Sequence, residues 1–442
     1  MINYTRVKHD ISINSHPEGR QLLKPSGTLE VGPDQQIFRS LFLPPNHTKE
    51  LADWIFTDRP QLQLHIVSFT DATLVTLSWI HTLLDAGGRQ KLFEAWIAML
   101  EGRETDIPEF YGYDFDPLAP LGASDRTEST SIPKDAANKD DEEEEEEYVL
   151  ASRPIRGWSA FIFIISYLWD LLVHPTENMR ILIIPPSFFA RLKASALNDL
   201  ANVHPATIVM DTSSPSDPKP FLSDGDVLVA WWTRLLISSQ PWAATARPSK
   251  TIQVMNVFSY RSLIATTSPK LLPSEDKAVY IGNAVTSILS FFTFHDFLSL
   301  PLGLVAARLR SDIAEQTTRP QINASIKLAK EAIRKTGHMQ LYGERDMMFT
   351  AFSNWSQSRH FEIDFGAAVV EEGGVGEIKV DYGGKGYVRG KPSYIQVDGT
   401  TKGFSVRNAG PCLGRDKEGN WWVGSTLRPV VWEKIIKAVQ GM

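Results

Sequence analysis

The chain has 442 residues, 43% hydrophobic and 22% charged, with a net charge of −7 and a pI near 5.9. This length buries a large core, in two or three domains or one large two-lobed unit, and the acidic balance supplies no global basic field for nucleic acid. Cys412 is the sole cysteine, which excludes an internal disulfide framework and a multi-cysteine metal site.

The first twenty residues, MINYTRVKHDISINSHPEGR, contain no apolar h-region. No secretory signal is read there, and a reducing, cytoplasmic setting is expected. Leu62 to Ser68 and Ala72 to Trp79, rich in Leu, Val, Ile and Thr, read as strands. The segment HTLLDAGG, His81 to Gly88, turns the chain, and Arg89 to Leu100 has apolar residues at helical spacing. Residues 120–147 run from PLGASDRTESTSIPKD into DDEEEEEE with almost nothing to bury, the composition of a mobile surface loop.

Trp158 to Val173, WSAFIFIISYLWDLLV, is shorter than the ~20 apolar residues of a spanning helix, and Asp170 interrupts it. A buried or amphipathic helix is predicted; the alternative is a surface that meets a lipophilic substrate or a membrane face. The polar, Pro-rich passage Asp211 to Pro220 reads as a linker, dividing the chain into an N-terminal lobe, 1–210, and a C-terminal lobe, 211–442. Beyond it, Asp224 to Leu236 and Leu302 to Ile313 are predicted as helices, and Thr251 to Phe258 and Ala284 to Phe294 as strands. The C-terminal third reads as hairpins separated by Gly-rich turns, closed by a helix from Pro429 to Val439. Strands and helices mix without a strict βαβ rhythm, which gives a mixed α/β (α+β) class. No GxGxxG or GxxxxGK[ST] stretch occurs, which weakens nucleotide-enzyme readings.

The sharpest chemical feature is His81 with Asp85 four residues on and Gly87-Gly88 behind it. A histidine at a strand end projects into a cleft and accepts a proton near neutral pH; the glycines let the chain leave the strand sharply. Spacing alone does not separate a catalytic from a structural histidine, because His360 and Asp364 form a second HxxxD. There Phe361, Ile363 and Phe365 alternate as in a strand, which makes His360 a surface or edge residue. Lys327, Lys330 and Arg334 share one face of a predicted helix over 323–334, and a solvated face explains them better than a binding site. Cys412 sits in NAGPCLG, a turn entering a strand, and reads as a small buried residue rather than a nucleophile.

Five ordered segments resemble the BAHD acyltransferases. The HxxxD stretch at His81 is followed by Phe221 to Leu228 (FLSDGDVL), Asn256 to Ser262 (NVFSYRS), Tyr280 to Val285 (YIGNAV), and Ser353-Asn354-Trp355 ahead of Asp364-Phe365-Gly366. Gly390-Lys391-Pro392 and Gly419 to Val423 (GNWWV) resemble the fungal branch. The resemblance implies two similar chloramphenicol-acetyltransferase-like lobes with the active-site channel between them. It implies transfer of an acyl group, most readily acetyl, from acyl-CoA to a hydroxyl of a specialised metabolite by direct attack. His81 is then the general base. Asp85, Asp364 and Arg261 support the site, with Asp364 and Arg261 as an ion pair. Asn283, Ser353, Asn354 and Trp355 line the channel or contact the cofactor. Neither a metal nor a tightly bound cofactor is called for; acyl-CoA and a small-molecule acceptor are the partners of a monomer without a transmembrane segment. The chain departs from the family's DFGWG at Ala367-Ala368, which leaves the oxyanion contacts open. Two alternatives remain: an amide-forming, condensation-domain-like enzyme, although Ile80 stands where that group has a second histidine, and a catalytically inactive binding relative.

Overall fold

The computed structural model describes residues 3–123, 146–213, 216, 218–275, 277–369, 380–382, 385–387, 389–399 and 407–442. Most of the acidic run, residues 124–145, therefore lies outside the described residues.

Two sheets organise the fold. The smaller contains strands β1 (Asn3–Lys8), β3 (Leu62–Ser68) and β4 (Thr73–Trp79), with β3 in the middle, parallel to β1 and antiparallel to β4. The larger has seven strands and collects β2 (Glu30–Val31), β5 (Asn178–Ile184), β6 (Thr251–Ser259), β7 (Val285–Thr293), β8 (Met348–Asn354), β9 (Ala409–Arg415) and β10 (Trp421–Leu427). Its order is β7-β6-β8-β9-β10-β5-β2, with β6, β8 and β9 mutually parallel and the other pairs antiparallel. The architecture is mixed α/β, as the sequence predicts. The large sheet draws strands from both sides of residue 210, because β5 pairs onto β10 and β2 onto β5, rather than onto the small sheet.

The main core forms where helices cover one face of the large sheet. Helix α4 (Asp224–Ser238) starts at Ser223, whose hydroxyl caps the Asp226 N–H while the Asp226 carboxylate returns to the Ser223 N–H. Arg310, on α5 (Leu302–Gln316), pairs with Asp226 at 2.8 Å. Buried Val227, Leu228, Trp232 and Leu236 then pack on the sheet, and Trp232 meets Trp432 of α7 (Pro429–Gln440) at 5.8 Å. The FLSDGDVL segment is thus a helix start that locks two helices together. On the opposite face, Ile181, Ile183, Leu413 and Trp422 pack against Phe361.

Two predicted elements change character. Residues 360–362 and 366–368 form single 3₁₀ turns instead of the expected strand, since Phe361 is drawn onto the sheet face while Phe365 turns away to another helix. The Trp158 to Val173 segment is helical, as α2 (Gly157–Val173), yet none of its residues is fully buried. The body holds it through Asp170, which pairs with Arg407 and Arg428. Among the described residues no helix is long and apolar enough to cross a membrane.

Candidate active site

The site forms where the turn after β4 meets the segment that leads into β7. Strand β4 ends at Trp79, and the chain turns through His81 and enters helix α1 (Ala86–Leu100) at Asp85. Asp85 is 4% exposed, and its carboxylate accepts from the Gly88 N–H (3.0 Å), the Ala284 N–H (3.0 Å) and the Arg261 guanidinium (2.8 Å). Arg261 also donates to the carbonyls of Tyr280 (3.3 Å) and Gly282. One carboxylate and one guanidinium therefore clamp the turn to residues 280–284.

The glycines of the motif follow from that approach. A Cβ on Gly88 would stand 1.8 Å from the Ile281 carbonyl oxygen, and one on Gly87 2.7 Å from Arg261. Only hydrogen fits at Gly88, because the opposing atom is backbone and cannot yield. Asn283 completes the clamp by donating its side-chain N–H to the His81 carbonyl at 2.8 Å. The His81 backbone is thereby fixed while its imidazole is exposed.

The expected Arg261–Asp364 ion pair does not form. Arg261 is fully used by Asp85 and two carbonyls, and Asp364 lies elsewhere, half exposed, 3.7 Å from Lys391 and accepting the Gly366 N–H at 2.8 Å. Its segment packs on the N-terminal half through Phe365, whose ring is 5.1 Å from Trp96 of α1. Phe365 also gives its N–H to the Gly390 carbonyl at 2.8 Å, tying the DFG segment to Gly390-Lys391-Pro392.

His360 is buried at 5% exposure, not at a surface or edge, because it meets an arginine that sequence reasoning passed over. Arg89, one residue after the double glycine, is also buried and donates to His360 Nε2 at 2.7 Å. Its guanidinium lies 4.5 Å from the centre of the Trp355 ring and 5.4 Å from that of Trp79. Burial lowers the Arg89 guanidinium to about 10, and burial with the Arg89 cation adding to it lowers His360 to about 3. With Arg89 donating to Nε2, the proton of neutral His360 sits on Nδ1. The signal for this cluster was present in the sequence as an arginine four residues after Asp85 on a helix, but its partner is 271 residues away.

The remaining predicted residues divide. Trp355 is brought to Trp79 by Arg89, and its indole N–H donates to Ser353 at 2.7 Å. Asn354 instead accepts the Ser356 N–H at 3.0 Å and borders Gly225. Lys330 of α6 (Arg319–Thr336) donates to the carbonyls of Ala119 and Leu121 at 2.9 and 2.6 Å, so it fastens a turn. Cys412 lies inside β9, fully buried, and burial raises its thiol to about 12. Among the described residues no cluster of metal-ligating side chains occurs. An open cleft of about 420 Å³ borders the site at Tyr280 and is lined by Asp114 and Asp116, whose charge repels an anionic coenzyme.

No family profile matches the chain. Among curated relatives, acetyltransferase adrJ of Penicillium roqueforti is 31% identical over 98% of this chain and 79% of its own. A protein named transcriptional regulator sdnM, from Sordaria araneosa, is 33% identical over 98% and 80%. Among solved structures, F. sporotrichioides TRI101, complexed with coenzyme A and T-2, aligns with a TM-score of 0.61 at 14% identity, covering 98% of this chain and 78% of that one. Vinorine synthase aligns at 0.54 with 15% identity over 99% and 76%. The fold and the curated relatives define an acyltransferase. The chain belongs to the fungal branch of the BAHD-type acyltransferases.

Proposed function

We propose that His81 is the general base of an O-acetyl transfer from acetyl-CoA to a hydroxyl of a specialised metabolite. The acceptor hydroxyl gives its proton to the imidazole as its oxygen bonds to the thioester carbonyl carbon. The tetrahedral oxyanion then collapses, the carbon–sulfur bond breaks, and the coenzyme A thiolate takes the proton back from His81. The observation that carries this reading is the division of labour in the turn: Asp85 has its oxygens committed to Arg261, Ala284 and Gly88, while the His81 imidazole is exposed on a backbone held by Asn283. Asp85 and Arg261 thus support the site, Asn283 and Trp355 shape the approach to His81, and Asp364 with Ser353 holds neighbouring segments. A free, buried Cys412 suits a reducing, cytoplasmic setting and direct attack without an acyl-enzyme.

The test is release of coenzyme A thiol from acetyl-CoA with a panel of alcohols. His81→Ala should lower turnover by ~10²–10⁴-fold, the usual cost of losing a general base, with the melting temperature unchanged. Near-wild-type turnover in that variant would falsify the role of His81. A regulatory name among the relatives makes the binding alternative concrete: a binding protein would take up acetyl-CoA or acceptor in calorimetry without turning either over.

A further inference from the structure

Helix α2 presents large apolar side chains outward. Trp158, Phe161, Ile165, Leu168, Trp169 and Leu172 are each between 40% and 73% exposed. Side chains of this size at such exposure offer on the order of 700–800 Å², close to the ~800 Å² that each partner contributes to a standard interface. Monomeric surfaces rarely carry a contiguous apolar patch of that extent without a use.

The pattern specifies what fits. Positions 158, 161, 165, 168 and 172 alternate in steps of three and four, the seam that one helix offers another. Asp170, the helix's sole charged side chain, is turned inward onto Arg407 and Arg428, so the seam has no charge to desolvate. Arg407, itself 4% exposed, also binds Glu177 and the His174 carbonyl, which pins the helix end to the body. A helix that lies on a membrane carries Lys and Arg along its polar face, and α2 has neither.

We propose that this face is the contact between two copies of the chain, their α2 helices packed antiparallel about a two-fold axis at Ile165. Ile165 lies midway between Trp158 and Leu172, so that axis sets Trp158 of one copy against Leu172 of the other and Trp169 against Phe161. The seam is self-complementary, as an isologous interface requires. The monomer expected from the sequence is the competing outcome.

Sedimentation of the full chain across micromolar concentrations should show a dimer. Ile165→Asp, which sets two carboxylates against each other at the axis, should leave a monomer with an unchanged melting temperature. Because Cys412 is fully buried, Ile165→Cys adds a single accessible thiol. Mild oxidation should link it into a covalent dimer, whereas Tyr113→Cys, at an 84% exposed position away from α2, should not link. A monomeric wild-type chain at every concentration, or an Ile165→Cys variant no more readily linked than Tyr113→Cys, overturns the proposal. So does a wild-type chain that stays monomeric and co-sediments with phosphatidylcholine–phosphatidylserine vesicles, which assigns the face to lipid.

Discussion

Two aspartates four residues after a histidine have opposite structural weight here. Asp85 is buried against a 13% exposed Arg261 side chain, so Asp85→Asn leaves a cation short of its partner and should cost ~3–5 kcal/mol. Asp364, half exposed beside Lys391, belongs to the class of surface pairs worth ~0–1 kcal/mol, and Asp364→Ala should melt within a few degrees of the wild type. Urea titrations of the two variants check this contrast; equal destabilisation would show that Asp364 has a buried role. The HxxxD spacing reads the same at both places. Only the guanidinium brought to Asp85 from residue 261 separates them.

The 3₁₀ turn at residues 360–362 carries a pH dependence. In the folded chain His360 is lowered to about 3, while an unfolded histidine titrates near 6.5, so between those values the unfolded chain binds the extra proton. The contribution to stability is complete above pH ~6.5 and falls as the pH drops toward about 3, by up to ~1.4 kcal/mol per pH unit. His360→Gln should flatten the melting temperature between pH 4 and 6.5 relative to wild type. Parallel pH profiles would remove His360 from the account. Strand β9 gives the second element-scale test. Cys412 is fully buried there and its thiol is raised to about 12, so Cys412→Ala should keep acyl transfer and lose ~1–2 kcal/mol for the small void. An acyl adduct on Cys412 in mass spectra, lost with activity in that variant, would overturn direct attack.

At the scale of the molecule, the site depends on two sheets meeting at one turn. Helix α1 leaves the small sheet, residues 280–284 lead into the edge strand of the large one, and Gly88 stands where their backbones come closest. Gly88→Ala forces a methyl group to within 1.8 Å of the Ile281 carbonyl, so the turn has to move away. Overpacking of this kind costs ~1–3 kcal/mol, and the displaced His81 should lower kcat more than it raises KM. An unchanged kcat would show that the clamp does not hold the base in place.

The sequence by itself determined the mixed class, most helices and strands, and the family through segments that recur in fixed order. It also singled out His81 as the candidate base, through the family resemblance of the segments that follow it and not through the HxxxD spacing, which His360 and Asp364 repeat. It did not determine which groups meet. The Arg261–Asp85 clamp spans 176 residues and the Arg89–His360 contact 271, separations at which spacing carries no information. Strand β3 shows the same limit. Its alternation would turn Leu62, Leu64 and Ile66 inward, yet Gln63, His65 and Val67 are the buried set. His65 bonds Thr5 across β1, and Val67 packs with Leu41 of the short helix Arg39–Phe42. Which face of a strand is covered depends on what the rest of the chain lays over it, and that is a property of tertiary packing alone.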